Sequence, residues 1–332
     1  MPLTTVDGLF IKQIINILPK KKEDNLKDLL LNEGDKQRLI NQIGIRYRYT
    51  QQRGDQVKTA FESAVKKACE NLEWELNEID ILIVVTQTNM ALIPAMACRL
   101  QGDLKMSSSC MALDLNLGCS GFVYGLQTMA SLLNSIQKKK PKGILCCGDF
   151  STLLTEDSDQ STRPIFSDGV SAAAIELEQA SSATSYFNLE TFGEGQDAIC
   201  TEKINAKRWM RMNGLDVFGY SVNFVPQNIK TLIEFSSQDK EAIDYYIFHQ
   251  ANKIINDAIK DSLDVPTDKV PSSLYQYGNT SSASIPITLG TIEDHNELNT
   301  YLFSGFGVGF SVGSALLPGH PAINCKTLFQ DL

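Results

Sequence analysis

Apolar and polar positions change period several times along the chain, and each change marks an element. Leu9 to Leu18 reads as a strand, stopped by Pro19 and a lysine-rich turn. Leu26 to Ile43 carries a helical pattern that breaks around Gly34-Asp35. From Asp55 to Leu72 the residues Val57, Ala60, Phe61, Ala64, Val65, Ala68 and Leu72 fall on one helical face. Ile79 to Gln87 is almost continuously apolar, as a strand buried on both faces must be. Pro94 to Leu104 predicts a further helix. Leu113 to Leu117 alternates apolar with polar residues and predicts a strand ending at Gly118. After Ser120 the spacing turns helical through Phe122, Val123, Leu126, Met129, Ala130 and Leu133, to about Gln137. Gly143–Cys147 and Ser171–Leu177 read as two more strands. Alternating elements of this kind predict an α/β protein built on a buried sheet.

The second half repeats the first in outline. Ile79-Asp80-Ile81-Leu82-Ile83 is echoed by Ile243-Asp244-Tyr245-Tyr246-Ile247, and a glutamine follows each, Gln87 and Gln250. Gly118-Cys119-Ser120 is echoed by Gly278-Asn279-Thr280. The glycine-bearing run Asp168 to Ala173 is echoed by Gly307 to Ala315. Three pairs in one order point to duplication of an α/β unit. The expected division is 1–180 and 181–332, with Cys119 and Asn279 in equivalent turns that meet at one site.

Composition narrows the function. A chain of 332 residues with 43% apolar content can bury a large core. A formal charge of −9 argues against nucleic-acid binding. No apolar run approaches the roughly 20 residues that span a bilayer, and Met1 to Phe10 lacks a basic leader. A cytoplasmic location and no membrane partner are expected. The eight cysteines show neither CxxC spacing nor histidine partners at zinc-ligand distance. No metal, disulfide framework or resident cofactor is therefore expected.

Three side chains carry candidate chemistry. Cys119 lies between glycines where a strand becomes a helix, and a helix N-terminus favours thiolate over thiol. His249 ends the apolar strand Tyr246-Ile247-Phe248. Asn279 sits in the small-residue turn Gly278-Asn279-Thr280-Ser281-Ser282. Each alone has a plainer reading: a buried thiol, a satisfied core histidine, ordinary turn chemistry. The other histidines, His295 and His320, read as surface-loop residues.

The combination is specific. Gly118-Cys119-Ser120-Gly121-Phe122, His249-Gln250-Ala251-Asn252, Gly278-Asn279-Thr280-Ser281-Ser282-Ala283 and Gly305 to Ala315 come in an order and spacing that closely resemble the β-ketoacyl-acyl-carrier-protein synthase III family of thiolase-fold condensing enzymes. Gly44-Ile45-Arg46, Phe166-Ser167-Asp168-Gly169 and Met212 to Phe218 extend the resemblance. It implies a thiolase-like α/β fold: two duplicated βαβ-rich halves in a five-layer α-β-α-β-α sandwich, usually a homodimer. It also implies that Cys119 takes an acyl group from acyl-CoA or an acyl carrier protein, with the backbone N–H groups of Cys119 and Val308 as oxyanion donors. His249 and Asn279 would stabilise the enolate of decarboxylating malonyl-carrier protein. The product would be a β-ketoacyl-carrier protein. Thiolases have a second cysteine where this chain has Asn279.

Further assignments follow from the same resemblance. Ile93 and Phe218 would shape the acyl pocket, Ile93 from across a dimer. Lys253, Lys260, Lys207, Arg208 and Arg211 would dock the acidic carrier protein. Arg38, Gln42 and Ile254 depart from the residues that housekeeping members present to CoA and carrier. The departures point to a specialised paralogue and leave both acyl donors open. Two rivals remain: an acyltransferase that passes the Cys119 acyl group to a hydroxyl or amine, and a non-catalytic partner subunit.

Overall fold

The computed structural model describes residues 3–29, 31–51, 56–89, 91–205, 207–292 and 298–332. The apolar runs read above form two sheets. A six-stranded sheet has the spatial order Asn324–Gln330, Leu9–Pro19, Asp168–Leu177, Lys142–Phe150, Ile81–Val85, Met111–Leu115. A five-stranded sheet has the order Leu3–Asp7, Thr184–Thr191, Ser311–Pro321, Leu298–Gly307, Tyr245–Phe248.

The duplication is visible in strand direction. Leu9–Pro19, Asp168–Leu177, Lys142–Phe150 and Ile81–Val85 pair antiparallel, antiparallel, then parallel. Thr184–Thr191, Ser311–Pro321, Leu298–Gly307 and Tyr245–Phe248 repeat that order and those directions. The two chain ends cross between the copies. Leu3–Asp7 joins the second sheet and Asn324–Gln330 joins the first.

Helices complete five layers, because each sheet has two apolar faces to cover. Val57–Leu72 and Met96–Asp103 cover the outer face of the six-stranded sheet. Gly121–Asn134 and Ser284–Leu289 fill the space between the sheets. Gly214–Ser236 and Lys253–Leu263 cover the outer face of the five-stranded sheet. The α-β-α-β-α thiolase-like architecture is thus present. Among the described residues no helix is long and apolar enough to cross a membrane.

Some elements differ from expectation. The helical pattern from Leu26 breaks before Gly34, not at it. A short turn Asn25–Asp28 ends first, and Asn32 caps the helix Glu33–Ile43 by accepting the Asp35 N–H at 2.9 Å. A capping asparagine outcompetes the apolar period there. The long helix expected from Asp55 begins at Val57, and Asp55 itself lies outside the described residues. The strand expected at Leu113–Leu117 is Met111–Leu115, at the sheet edge.

His320 is a correction of another kind. It is buried in the strand Ser311–Pro321, not in a surface loop. Strand pairing slips between Ile11 and Gln13. There the Ile11 N–H donates to His320 Nε2 at 3.0 Å, and His320 Nδ1 donates to the Pro321 carbonyl at 2.6 Å. The imidazole thus substitutes for a missing backbone acceptor. His295 lies outside the described residues.

Burial pushes the His320 pKa down to about 4, with the Pro321 carbonyl opposing and Lys12 assisting. Between pH 6.5 and 4 the unfolded chain therefore binds more protons than the folded one, so acidification destabilises the fold by about 1.4 kcal/mol per pH unit for this residue. His320→Gln will be less stable than the parent at pH 7, and the gap will shrink by about 2 kcal/mol at pH 5. Urea unfolding at both pH values checks it; an unchanged gap would show that His320 titrates normally.

Candidate active site

Cys119 is held by close approach on three sides. The edge strand Met111–Leu115 delivers the chain to Gly118, and the helix Gly121–Asn134 carries it away. A Cβ on Gly121 would stand 2.4 Å from Val85 Cγ1, so only glycine lets the turn seat on the neighbouring strand. From the other copy, Gly307 has φ +149°, and a Cβ there would lie 2.8 Å from Cys119 Cβ and 3.1 Å from its Sγ. Ser120 Oγ and Ser311 Oγ, 2.7 Å apart, tie the turn to the second sheet.

The electrostatics of Cys119 are mixed. Burial raises its pKa to about 12, and the charge of Asp149 adds to this. The Ser281 hydroxyl and the backbone N–H groups of Cys119 and Val308 act the other way. The resting side chain is a thiol, not the thiolate that a helix N-terminus alone favours. The two N–H groups beside the sulfur are the pair named from sequence as oxyanion donors.

His249 and Asn279 converge on the same cavity as Cys119. His249 Nδ1 lies 2.7 Å from Ser284 Oγ. Its pKa falls to about 3 because burial disfavours the charged ring; a hydrogen bond with the Ser281 main chain opposes this. The Asn279 carboxamide is fixed from both ends. Oδ1 accepts the Ser281 N–H at 2.9 Å, and Nδ2 donates to the Ala251 carbonyl at 3.4 Å. Nδ2 therefore faces His249 Nε2, 3.5 Å away.

The Asn279 backbone is clasped by the segment Ile165-Phe166-Ser167. Asn279 N–H donates to the Ile165 carbonyl at 3.0 Å, and Ser167 N–H donates to the Asn279 carbonyl at 2.9 Å. Ser167 Oγ accepts the Tyr49 N–H at 2.7 Å. Asp168 accepts from Gln51 N–H and from Thr152 N–H, each at 2.9 Å. Beneath lies Arg48, fully buried, donating to the Phe166 carbonyl at 3.3 Å, Asn25 Oδ1 at 2.9 Å and Glu23 Oε2 at 2.9 Å.

The other sequence assignments lie further out. Ile93 is 80% exposed, and Phe218 is 36% exposed on the rim. Within this chain neither lines the cavity; the residue before Phe218, Val217, does, since the helix starting at Gly214 turns Val217 inward. Phe166 and Phe306 complete the apolar wall. Lys253 pairs with Asp257, and Lys260 donates to Thr267 Oγ1 at 3.2 Å. Lys207 stands over the Trp209 ring at 3.7 Å. Arg211 bridges Glu156 at 2.8 Å and Glu202 at 3.1 Å. Arg208 is exposed on the strand Lys207–Met212. None of these five cations lines the cavity. Sequence reasoning missed Ser284, Arg48 and Glu23.

Two turns from duplicated halves thus bring Cys119, His249 and Asn279 to one cavity in a thiolase-like fold. Comparison with known proteins carries this further. Residues 113–193 match the 3-oxoacyl-[acyl-carrier-protein] synthase III family, and residues 233–318 match its C-terminal part. A β-ketoacyl-[acyl-carrier-protein] synthase III of Streptococcus mutans is 32% identical over 297 residues, 84% of this chain and 89% of that protein. One from Streptococcus agalactiae is 28% identical, over 92% of this chain and 98% of that protein. The structure of a 3-oxoacyl-(acyl-carrier protein) synthase from Burkholderia xenovorans superposes with a TM-score of 0.91 at 27% identity, over 98% of this chain and 99% of that one. The chain belongs to the 3-oxoacyl-[acyl-carrier-protein] synthase III family and is an acyl-transferring enzyme.

Proposed function

We propose that the chain is a decarboxylating β-ketoacyl synthase acting on carrier-protein thioesters. The observation that carries this is the pair of fixed polar groups, Asn279 Nδ2 and His249 Nε2, 3.5 Å apart in the cavity that holds Cys119. A spacing too long for a good mutual bond suits two donors that share one ligand oxygen.

In the first step the Cys119 sulfur attacks the acyl thioester. The new C–S bond forms as the carbonyl π pair moves onto oxygen; that pair returns as the old C–S bond breaks, and the departing CoA or carrier thiolate takes up the proton Cys119 loses. The Cys119 and Val308 N–H groups stabilise the intermediate oxyanion. In the second step a malonyl-carrier thioester enters and loses CO2. The electron pair of the broken C–C bond becomes an enolate, whose oxygen accepts from His249 and Asn279. The enolate carbon attacks the acyl-Cys119 carbonyl, and Cys119 leaves as thiolate and takes a proton from water. The product is a β-ketoacyl-carrier protein, and no metal or resident cofactor is required.

Lys253, Lys260, Lys207, Arg208 and Arg211 are the basic groups available to an acidic carrier, against an overall charge of −9. The exposed Leu92 and Ile93 and the edge strand Met111–Leu115 suit pairing of two copies. The decisive experiment is intact-protein mass after incubation with acyl-CoA and acyl-carrier thioesters. An acyl adduct is expected on the parent and none on Cys119→Ala. Added malonyl-carrier protein should discharge the adduct as β-ketoacyl product with release of CO2. Discharge to a hydroxyl or amine acceptor instead would establish the acyltransferase alternative. Absence of any adduct would leave the partner-subunit reading.

A further inference from the structure

His249 can hold its single ring proton on either nitrogen, and only one choice makes it a donor toward substrate. Two groups hold the ring, the Ser281 main chain and Ser284, and Ser284 is the one at Nδ1. Its hydroxyl is buried between His249 and the chain that follows. The Gln250 backbone N–H donates to Ser284 Oγ at 3.3 Å. Gln250 is itself immobilised: its Nε2 donates to the Phe248 carbonyl at 2.8 Å, and its Oε1 accepts from Ser272 Oγ and Ser273 N–H, both at 3.0 Å. The oxygen of Ser284 therefore has a fixed incoming donor. Its own proton, among the described contacts, has His249 Nδ1 at 2.7 Å as acceptor. Reversing that bond would leave a buried hydroxyl proton unmet.

We propose that Ser284 is a positioning residue that fixes His249 in the tautomer carrying its proton on Nε2. The ring then donates toward the malonyl enolate beside the Asn279 amide, and it has no lone pair to offer the Cys119 thiol. This rests on the enolate-stabilising reading of the site and adds to it. It divides the labour: Ser284 serves decarboxylation and leaves acylation of Cys119 alone. It also separates this site from an acyltransferase in which His249 is a base.

The test combines nitrogen-15 histidine NMR with the two half-reactions. The chain has three histidines, so its ring signals are few enough to assign with a His249→Gln variant. In the parent, His249 should show a protonated Nε2 and a bare Nδ1; a protonated Nδ1 overturns the proposal, whatever the activity. Ser284→Ala should shift His249 toward the other tautomer and slow malonyl decarboxylation at least tenfold. Its Cys119 acylation should stay within about threefold of the parent. Ser284→Thr, which keeps the hydroxyl, should restore the parent tautomer and most of the decarboxylation rate. Equal loss of both half-reactions with a lowered Tm in Ser284→Ala would assign a structural role and overturn the proposal. Decarboxylation at the parent rate would do the same. A parent chain that acylates but never decarboxylates malonyl thioesters would instead sink the enolate reading, while the NMR result still judged the tautomer.

Discussion

Asn279→Ala will accept an acyl group on Cys119 about as fast as the parent chain but will decarboxylate malonyl thioester about a hundred- to a thousandfold more slowly. The reasoning starts from the carboxamide's bonds. Its Oδ1 is used by the Ser281 N–H and its Nδ2 leans on the Ala251 carbonyl, so its one free N–H direction is toward the cavity. Truncation removes that donor and leaves the backbone bridge to the Ile165–Ser167 segment intact. The donors proposed for acylation are backbone groups on Cys119 and Val308, and the truncation does not touch them. His249→Ala should show the same split. The double variant should be little worse than either single one, because two donors on one oxygen act as a unit. Single-turnover acylation by mass spectrometry and CO2 release from labelled malonyl thioester measure the two halves separately. A parallel fall of both rates in Asn279→Ala would mean that the residue serves the first half-reaction or the fold.

Why Cys119, His249 and Asn279 were legible from sequence, and their supports were not, has a physical basis. Sheets buried on both faces demand long apolar runs, so Ile81–Val85 and Tyr245–Phe248 announce themselves. His249 sits where the second of those runs ends. Cys119 and Asn279 follow Gly118 and Gly278, and Gly278 has a φ of +66°, which favours glycine. The supports are different. Ser284 lies in a run of small residues, Ser281 to Ser284, in which nothing local marks one hydroxyl as the partner of a histidine 35 residues earlier. His320 looks like loop chemistry between Gly319 and Pro321, because the backbone donor it satisfies arises from a pairing slip at Ile11, 309 residues away. Phe218, assigned by resemblance to the acyl pocket, lies outside the cavity lining within this chain, where its neighbour Val217 stands instead. Arg48 and Glu23 sit in short strands of mixed character, and their partners include Arg163 and Phe166, more than 100 residues further along the chain.

Arg48 therefore carries the second large expectation. Arg48→Met will destabilise the chain by about 3 kcal/mol, because removing one partner of a buried ion pair strands the other. Glu23 accepts from Lys21 at 3.0 Å, Thr50 at 3.0 Å and Arg163 at 2.7 Å as well as from Arg48, so the loss should lie at the lower end of that class. Burial alone would raise the Glu23 pKa; Lys21, Arg48 and Arg163 together overcome it and hold it down at about 2. Between pH 4.5 and 2 the unfolded state therefore holds the extra proton, and the stability Glu23 contributes drains away as pH falls through that window. In Arg48→Met the folded pKa of Glu23 rises, so this acid-side slope must flatten. The variant should also favour one half-reaction over the other. Arg48 anchors the Phe166 carbonyl, and Asn25 Nδ2 anchors the Pro164 carbonyl at 2.8 Å and that of Ile45 at 3.1 Å. Between them they hold the segment that clasps Asn279, whereas Cys119 is seated against Gly307 on the opposite side. Loosening the clasp should slow decarboxylation more than acylation, even at a temperature where the variant is fully folded. Urea unfolding at pH 7 and pH 3.5, with both half-reactions measured well below the midpoint, tests stability and positioning together. Undiminished stability would mean that the ion pair is replaced without cost. Equal slowing of both steps would break the link drawn here between Arg48 and Asn279.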